Sequence, residues 1–194
     1  MIEKNILVEL YHNKKKSMQE IAEILGCSLH KVSYWMERRK LKKRKLSDAM
    51  YIKHNPDGDP FKFVFPTDSK NAQLFGLGLG LYWGEGTKAN LNSVRLGNTD
   101  PRLIKRFIEF LIKFFQIKKG DLKFGLQIFS DINPRKAMDF WSKILKINKT
   151  QFNKPIVTKS GSIGTYRKKS DYGVLTVMYH NKKLRDLLVS LLPL

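Results

Sequence analysis

Residues 74–88 read Leu-Phe-Gly-Leu-Gly-Leu-Gly-Leu-Tyr-Trp-Gly-Glu-Gly-Thr-Lys, and the fold of the larger part of the chain turns on this stretch. It is apolar and free of proline, which suits a helix. Each glycine, however, costs a helix interior roughly 1 kcal/mol against alanine, so four of them between residues 76 and 84 need a reason. Gly76, Gly80 and Gly84 recur every fourth residue and therefore line one helical face. Such a smooth face lets a second helix approach backbone to backbone. A phosphate-cradling loop is the competing reading, and it fails in detail. No Gly-Lys-Ser/Thr ending follows, and Gly84-Glu85-Gly86 presents an acid where phosphate would sit. The run is also too short and too rich in glycine to span a bilayer.

The flanking sequence alternates strand and helix patterns and predicts one α+β domain over residues 71–194. Residues 93–98 (SVRLGN) alternate as a strand. Asp100-Pro101 then starts a helix, proline being suited to its first turn. Leu103, Phe107, Phe110, Leu111, Phe114 and Phe115 give that helix a broad apolar face, with Arg102, Lys105, Arg106 and Lys113 turned to water. Residues 122–129 predict another strand, and Asn133-Pro134-Arg135 opens a further amphipathic helix through Leu145. Strands are predicted over 152–159, 162–168 and 173–179, with a last helix over 181–192. Residues 47–70 hold Asn55-Pro56-Asp57-Gly58-Asp59-Pro60 and Pro66, a density of helix breakers that predicts a linker with a short strand at 61–65.

Residues 1–46 form a separate module. Ser17-Met18-Gln19-Glu20 is a capping box, followed by Met18, Ile21, Ala22 and Leu25 at helical spacing. Gly26 stops this helix, since glycine enters the left-handed region without steric cost. Ser28 caps a second helix with Leu29, Val32, Trp35 and Met36 as its apolar stripe. Counting an earlier helix at 4–11, residues 5–41 resemble a helix-turn-helix. In such modules the second helix enters the major groove. That makes Ser28, His30, Lys31, Ser33 and Tyr34 candidate base readers, and Arg38, Arg39, Lys42, Lys43 and Arg44 candidate phosphate contacts. A small helical packing module with a solvated basic face is the plainer alternative.

The nine residues 78–86, GLGLYWGEG, resemble the motif of the LAGLIDADG homing endonucleases. Gly80-Leu81 match its inner Gly-Leu, and Gly84-Glu85-Gly86 match its terminal small-acid-Gly. Trp83 stands where the family has its first acid, and Glu85 replaces the usual aspartate. The resemblance implies an αββαββα-type domain in which two motif helices pack about a pseudo-twofold and an antiparallel sheet lies in the major groove of DNA. It implies Glu85 as a ligand for Mg²⁺; Lys88, Arg95 or Lys123 are candidates, by location and not by motif, to stand beside the reacting phosphate. Arg95, Lys123, Tyr166, Arg167 and Lys168 become candidate sheet contacts to DNA. One motif copy is present, so either two chains pair as a homodimer through Gly76, Gly80 and Gly84, or the motif pairs with a divergent half.

Composition agrees with a nucleic-acid partner. The 194 residues carry 37 Lys+Arg against 17 Asp+Glu, a net charge of +20, which favours a polyanion. With 12 Phe, 7 Tyr and 3 Trp the chain has enough apolar bulk for a core and is no disordered tail. A single cysteine, Cys27, excludes an internal disulfide and reads as a small apolar residue. His12, His30, His54 and His180 show no metal-ligand spacing. With no signal-peptide pattern at the start, a cytoplasmic, nucleoid-associated protein is expected.

Three functions compete: a metal-dependent, site-specific DNA endonuclease with Glu85 at its centre; a transcription regulator that keeps the fold and has lost cleavage; and an RNA-binding structural protein. The last explains the charge but neither the capped helix pair nor the glycine stripe. A recombinase role lacks a recognisable nucleophile. Duplex-DNA affinity should fall roughly 10³-fold or more between 50 and 200 mM salt if six or more phosphates are contacted. A flat salt response in an anisotropy titration would overturn the electrostatic reading.

Overall fold

The computed structural model describes residues 1–160 and 170–193. The chain is mixed α and β and divides into two compact units, Met1–Pro60 and Phe61–Leu194.

In the first unit, α1 (Lys4–Leu7) runs on as a π-helical turn, Val8–Asn13, and is followed by α2 (Met18–Ile24) and α3 (Leu29–Arg38). The capping box at Ser17 is formed: the Glu20 N–H donates to Ser17 Oγ at 3.1 Å, and the Ser17 N–H donates to the Glu20 carboxylate at 2.8 Å. That backbone bond, with help from Lys16, holds the Glu20 carboxyl down to about 2. Gly26 takes φ +58° between the helices, and Ser28 Oγ accepts from the Lys31 N–H at 3.3 Å. Ile2, Leu7, Tyr11, Ile21, Ala22, Val32 and Met36 make a small core, with Trp35 and Cys27 packed at its edge. Leu29 was expected in this stripe but is 42% exposed; as the first residue of α3 it lies a turn outside the packed face.

The expected linker is partly structured. A helix, α4 (Leu46–His54), fills its first half and buries no residue. Lysine and aspartate around an unpartnered helix gave no periodicity by which to see it. Residues 61–65 form no strand but belong to the second unit as an extended strap. The Lys62 and Val64 N–H groups donate to the carbonyls of Phe115 and Phe114 at 3.0 and 2.8 Å, and Phe63 stacks on Phe115.

The second unit is built on α5 (Ser69–Glu85), β1 (Val94–Asn98), α6 (Pro101–Phe115), β2 (Lys123–Phe129), α7 (Pro134–Leu145), β3 (Ile156–Thr158), β4 (Val174–Tyr179) and α8 (Lys182–Ser190). Helix α6 is its centre, burying Ile104, Phe107, Ile108, Phe110, Leu111, Phe114 and Phe115. Both X-Pro starts act as expected: Asp100 caps α6 and Asn133 caps α7, each with proline in the first turn.

The sheet has the order β1-β4-β2-β3. It is mixed rather than antiparallel, because β3 runs parallel to β2. Helix α7 joins those two strands and returns the chain to the same end, as a parallel pair requires. β3 is also shorter than the predicted strand over 152–159. Phe152 makes a bridge to Phe124, but Pro155 has no N–H for the ladder and regular pairing resumes at Ile156. The helix and strand order therefore departs from αββαββα by having α7 and β3 between β2 and β4, and by a single bridge, Gly86 to Leu96, where a first strand was expected. The predicted strand at 162–168 lies outside the described residues.

Helix α5 packs on α6 through a different face from the one its glycine spacing suggested. Phe75, Gly78 and Tyr82 are buried, and a methyl group placed on Gly78 would run into the ring of Phe110. Gly76, Gly80 and Gly84 look into open space. Gly78→Ala should lower unfolding stability by about 1–3 kcal/mol through overpacking. Gly80→Ala should raise monomer stability by about 0.5–1 kcal/mol through helix propensity. Urea denaturation of both variants checks the pair, and the assignment of faces fails if their signs are reversed.

Candidate nucleic-acid interface

In the first unit, the outer surface of α3 presents His30, Lys31, Tyr34 and Arg38, all exposed. His30, Tyr34 and Arg38 follow one another at four-residue spacing and so stand in one row. Tyr34 is 55% exposed and meets Trp35 edge to face. Ser28, exposed at the helix start, has its oxygen committed to the cap yet keeps a hydroxyl proton to donate. Ser33 is half-buried and accepts from Lys43 Nζ at 3.0 Å, which draws both side chains from the set of free contacts. Lys42 remains exposed.

The basic run after α3 is not uniformly free for phosphate. Arg39 is half-buried with its guanidinium 5.3 Å from the Trp35 ring centre. Arg44 is a correction to the phosphate assignment. Its guanidinium lies 4.1 Å from the centre of the Tyr11 ring, donates to the carbonyls of Lys15 and Tyr11 at 2.9 Å each, and also reaches the carbonyl of Lys16. Its backbone N–H donates to Tyr11 Oη at 2.9 Å. The carbonyls where the π-helical turn ends lack helical partners, and a planar guanidinium with five donors can collect three of them. Arg44 closes the helical module.

In the second unit, Glu85 is the last residue of α5 and is exposed, with no hydrogen bond or ion pair to any described residue. Beyond it, Gly86 bridges Leu96 and the Thr87 N–H donates to the Arg95 carbonyl at 2.9 Å. Gly86 and Leu96 are buried, so alternation along the extended chain after the helix sets Thr87 on the opposite side, the side of Arg95 and Gly97. Lys88, expected beside a reacting phosphate, instead caps the C-terminal end of α5. Its ammonium donates to the carbonyls of Tyr82, at 3.5 Å, and Trp83. The Lys88 carbonyl in turn accepts from Arg185 at 2.6 Å. Cations satisfy the last carbonyls of a helix well, and glycine-rich α5 has no side chain of its own to do so.

The sheet has two unlike faces. Val94, Leu96, Phe124, Leu126, Ile128, Leu175 and Val177 are buried in the core. On the other face the register places Arg95, Met178 and Lys123 in one row, Gly97, Thr176 and Gly125 in the next, and Val174, Gln127 and Ile156 in a third. Lys123 and Gln127 are exposed, and Arg95 is half-buried with its Nε donating to Ser93 Oγ at 2.8 Å. The middle row carries two glycines and so forms a low strip between a basic row and a polar one. Tyr166, Arg167 and Lys168, also expected as sheet contacts, lie outside the described residues.

His180 belongs to this face and was not among the expected contacts. It follows β4, in phase with Thr176 and Met178. Partial burial, then the charges of Arg95 and Lys123, lower its imidazole pKa from the usual 6.5. Its position directly after the strand over 173–179, two residues beyond Met178, was the available signal in the sequence.

The excess charge sits mainly in this second unit. Residues 1–60 carry 13 Lys+Arg against 8 Asp+Glu, and residues 61–194 carry 24 against 9. Among the described residues no group of three or more His, Cys, Asp or Glu could hold a metal ion, and none of their helices is long and apolar enough to cross a membrane.

No family model, curated protein or solved structure matches this chain. Its function is therefore argued from the two surfaces themselves. Removing the Arg44 clasp tests how they are divided. Arg44→Ala should destabilise the first unit by about 1–3 kcal/mol, from three lost charge-assisted bonds and a ring contact. Arg38→Ala should leave melting unchanged within about 0.5 kcal/mol. Equal thermal shifts in the two variants would return Arg44 to the phosphate set.

Proposed function

We propose that this chain is a sequence-specific double-stranded-DNA-binding protein of LAGLIDADG-like build. The observation that carries the reading is the capped helix pair of the first unit, whose second helix turns His30, Lys31, Tyr34 and Arg38 outward together. Side chains of this kind at the start and middle of such a helix reach base edges, while Arg38 and Lys42 meet phosphate. The basic, uncovered face of the sheet in the second unit supplies a second contact surface, with Arg95 and Lys123 toward phosphate. Tethering two modest binding surfaces makes the second contact intramolecular and raises affinity without new contacts.

The LAGLIDADG-like reading has further support in the second unit. Helix α5 ends in Glu85, the chain then pairs briefly against β1, and α6, β2, β4 and α8 follow. With the single Gly86–Leu96 bridge standing in for a first strand, this order resembles α-β-β-α-β-β-α with α7 and β3 inserted before the last strand. The open Gly76, Gly80 and Gly84 face suits a homodimer in which two copies of α5 pack together.

Endonuclease activity has one specific observation in its favour: an acid without a partner, Glu85, at the end of that open stripe. Within one chain it is a single carboxylate. Mg²⁺ commonly takes one or two carboxylates with water and substrate phosphate, and among the described residues one chain offers only the lower number at this place. Paired copies would bring two Glu85 carboxylates to one place. Trp83, 50% exposed where the motif has its first acid, favours the other reading, a regulator that binds without cutting.

The test is a cleavage and binding assay of the full chain on DNA spanning the gene's own flanks, with and without Mg²⁺ and with Glu85→Ala. Cuts at a discrete site that need Mg²⁺ and vanish in the variant, while binding persists, would make this a homing-type nuclease. Discrete, salt-sensitive binding with no cut would make it a regulator. Equal competition by structured RNA, or no selectivity among duplexes, would overturn the proposal.

A further inference from the structure

The sheet face holds a set of groups that the DNA-binding reading does not by itself explain. Arg95 on β1 and Lys123 on β2 share the register partner Met178 on β4. They therefore flank β4 from opposite sides on the same face. His180 lies two residues beyond Met178, just past the end of β4, and the charges of both Arg95 and Lys123 reach its ring.

The hydrogen bonding leaves these three groups free for an external partner. Arg95 engages only Nε, with Ser93 Oγ, so both of its terminal nitrogens lack a described partner. The Lys123 ammonium and the His180 ring also have none among the described residues, and both residues are exposed. The neighbouring charges do not neutralise them. On α8, Lys182 pairs with Asp186 at 2.5 Å, and Asp186 also accepts from Arg185 at 3.0 Å. Asp121, in the turn before β2, is the acid nearest to Lys123 along the chain. The charges that act on the imidazole are nonetheless those of Arg95 and Lys123.

We infer that His180, Arg95 and Lys123 form an anion-receiving cluster in which the imidazole takes up a proton from solvent as a DNA phosphate docks. The inference rests on the DNA-binding reading above and adds a pH dependence to it. In the free protein, partial burial and then the charges of Arg95 and Lys123 disfavour the protonated ring, which favours the neutral form near pH 7. A phosphate arriving between Arg95 and Lys123 reverses the local potential and favours the protonated ring, whose N–H groups are both donors. Binding coupled to proton uptake strengthens as pH falls, by at most about tenfold per pH unit for one proton. His180 thus tunes affinity across the range in which only histidine among ordinary side chains titrates.

The experiment follows binding of the full chain to a 40-base-pair duplex by fluorescence anisotropy between pH 5.5 and 8.0 at constant ionic strength. Wild type, His180→Gln and His30→Gln are compared, with the histidine ring resonances followed by NMR. The expected result is affinity several-fold tighter at pH 5.5 than at pH 7.5 in wild type, a dependence that His180→Gln largely removes and that His30→Gln retains whatever it costs in absolute affinity. The His180 resonance should titrate below the ordinary histidine range in free protein and move up in the complex. Arg95→Gln should raise the free-protein titration, a change that a folding defect would not mimic. A pH dependence that follows His30, or a His180 titration that DNA does not move, overturns the inference while leaving DNA binding intact. Absence of duplex binding at every pH overturns the DNA reading and this one with it.

Discussion

The close approach of α5 to α6 is the constraint from which the rest of the second unit follows. Phe110 fills the space that a side chain on residue 78 would need, and Phe75 meets Phe110 and Phe114 on the same seam. Because α6 also supplies the apolar floor beneath the sheet, its opposite sides are committed to α5 and to the strands. Tyr82 lies parallel to Phe107 at 6.1 Å and fixes the last turn of α5. That turn delivers Gly86 to its bridge with Leu96. The position of Glu85 at the margin of the sheet is thus a consequence of aromatic packing several residues away.

What was legible in the sequence is what depends on neighbours along the chain. Ser17, Ser28, Asp100 and Asn133 all cap helices where their spacing placed them, since a cap needs only the next three residues. The same holds for Gly26 and for the alternation of β1 and β2. The functions assigned to Arg44 and Lys88 were not legible. Arg44 bonds to residues 28 to 33 positions earlier, a distance at which spacing carries no information. Lys88 lies close in sequence to its acceptors, but glycine-rich α5 could have ended in several ways.

Helical periodicity told which glycines share a face and could not tell which face meets a neighbour. Both the Gly76, Gly80, Gly84 row and the Phe75, Gly78, Tyr82 row are periodic; bulk decided, because the second also carries two aromatic rings to bury. Sheet direction was obscure for a related reason. Short strands look alike whether they run parallel or antiparallel. The deciding element, α7, had been recognised as a helix but not as a crossover. Pro155 then shortened β3 in a way that residue type alone makes intelligible only once its partner strand is known.

A net charge of +20 does not mean an equal number of cations waiting for phosphate. Arg44, Lys88 and Arg185 spend their donors on backbone carbonyls, and Lys119 does the same at the end of α7, donating to the Leu145 carbonyl at 2.5 Å. Apart from the Lys88 carbonyl that Arg185 meets, these are carbonyls at or just beyond helix ends, which a less basic chain would close with glycine or with shorter polar side chains. Cations that close no helix end stand exposed as Lys31 and Arg38 on the outer row of α3, as Lys123 at one end of the sheet, and as Lys105 and Lys113 on α6. Against this background the three glycines on the open side of α5 stand out, since each weakens the helix and none meets another group among the described residues. With Leu77 and Trp83 about half exposed beside them, they form an apolar, backbone-smooth strip that ends at Glu85. On the proposed reading that strip serves a second helix from outside the chain, and the acid rides at the junction because the strip leads to it.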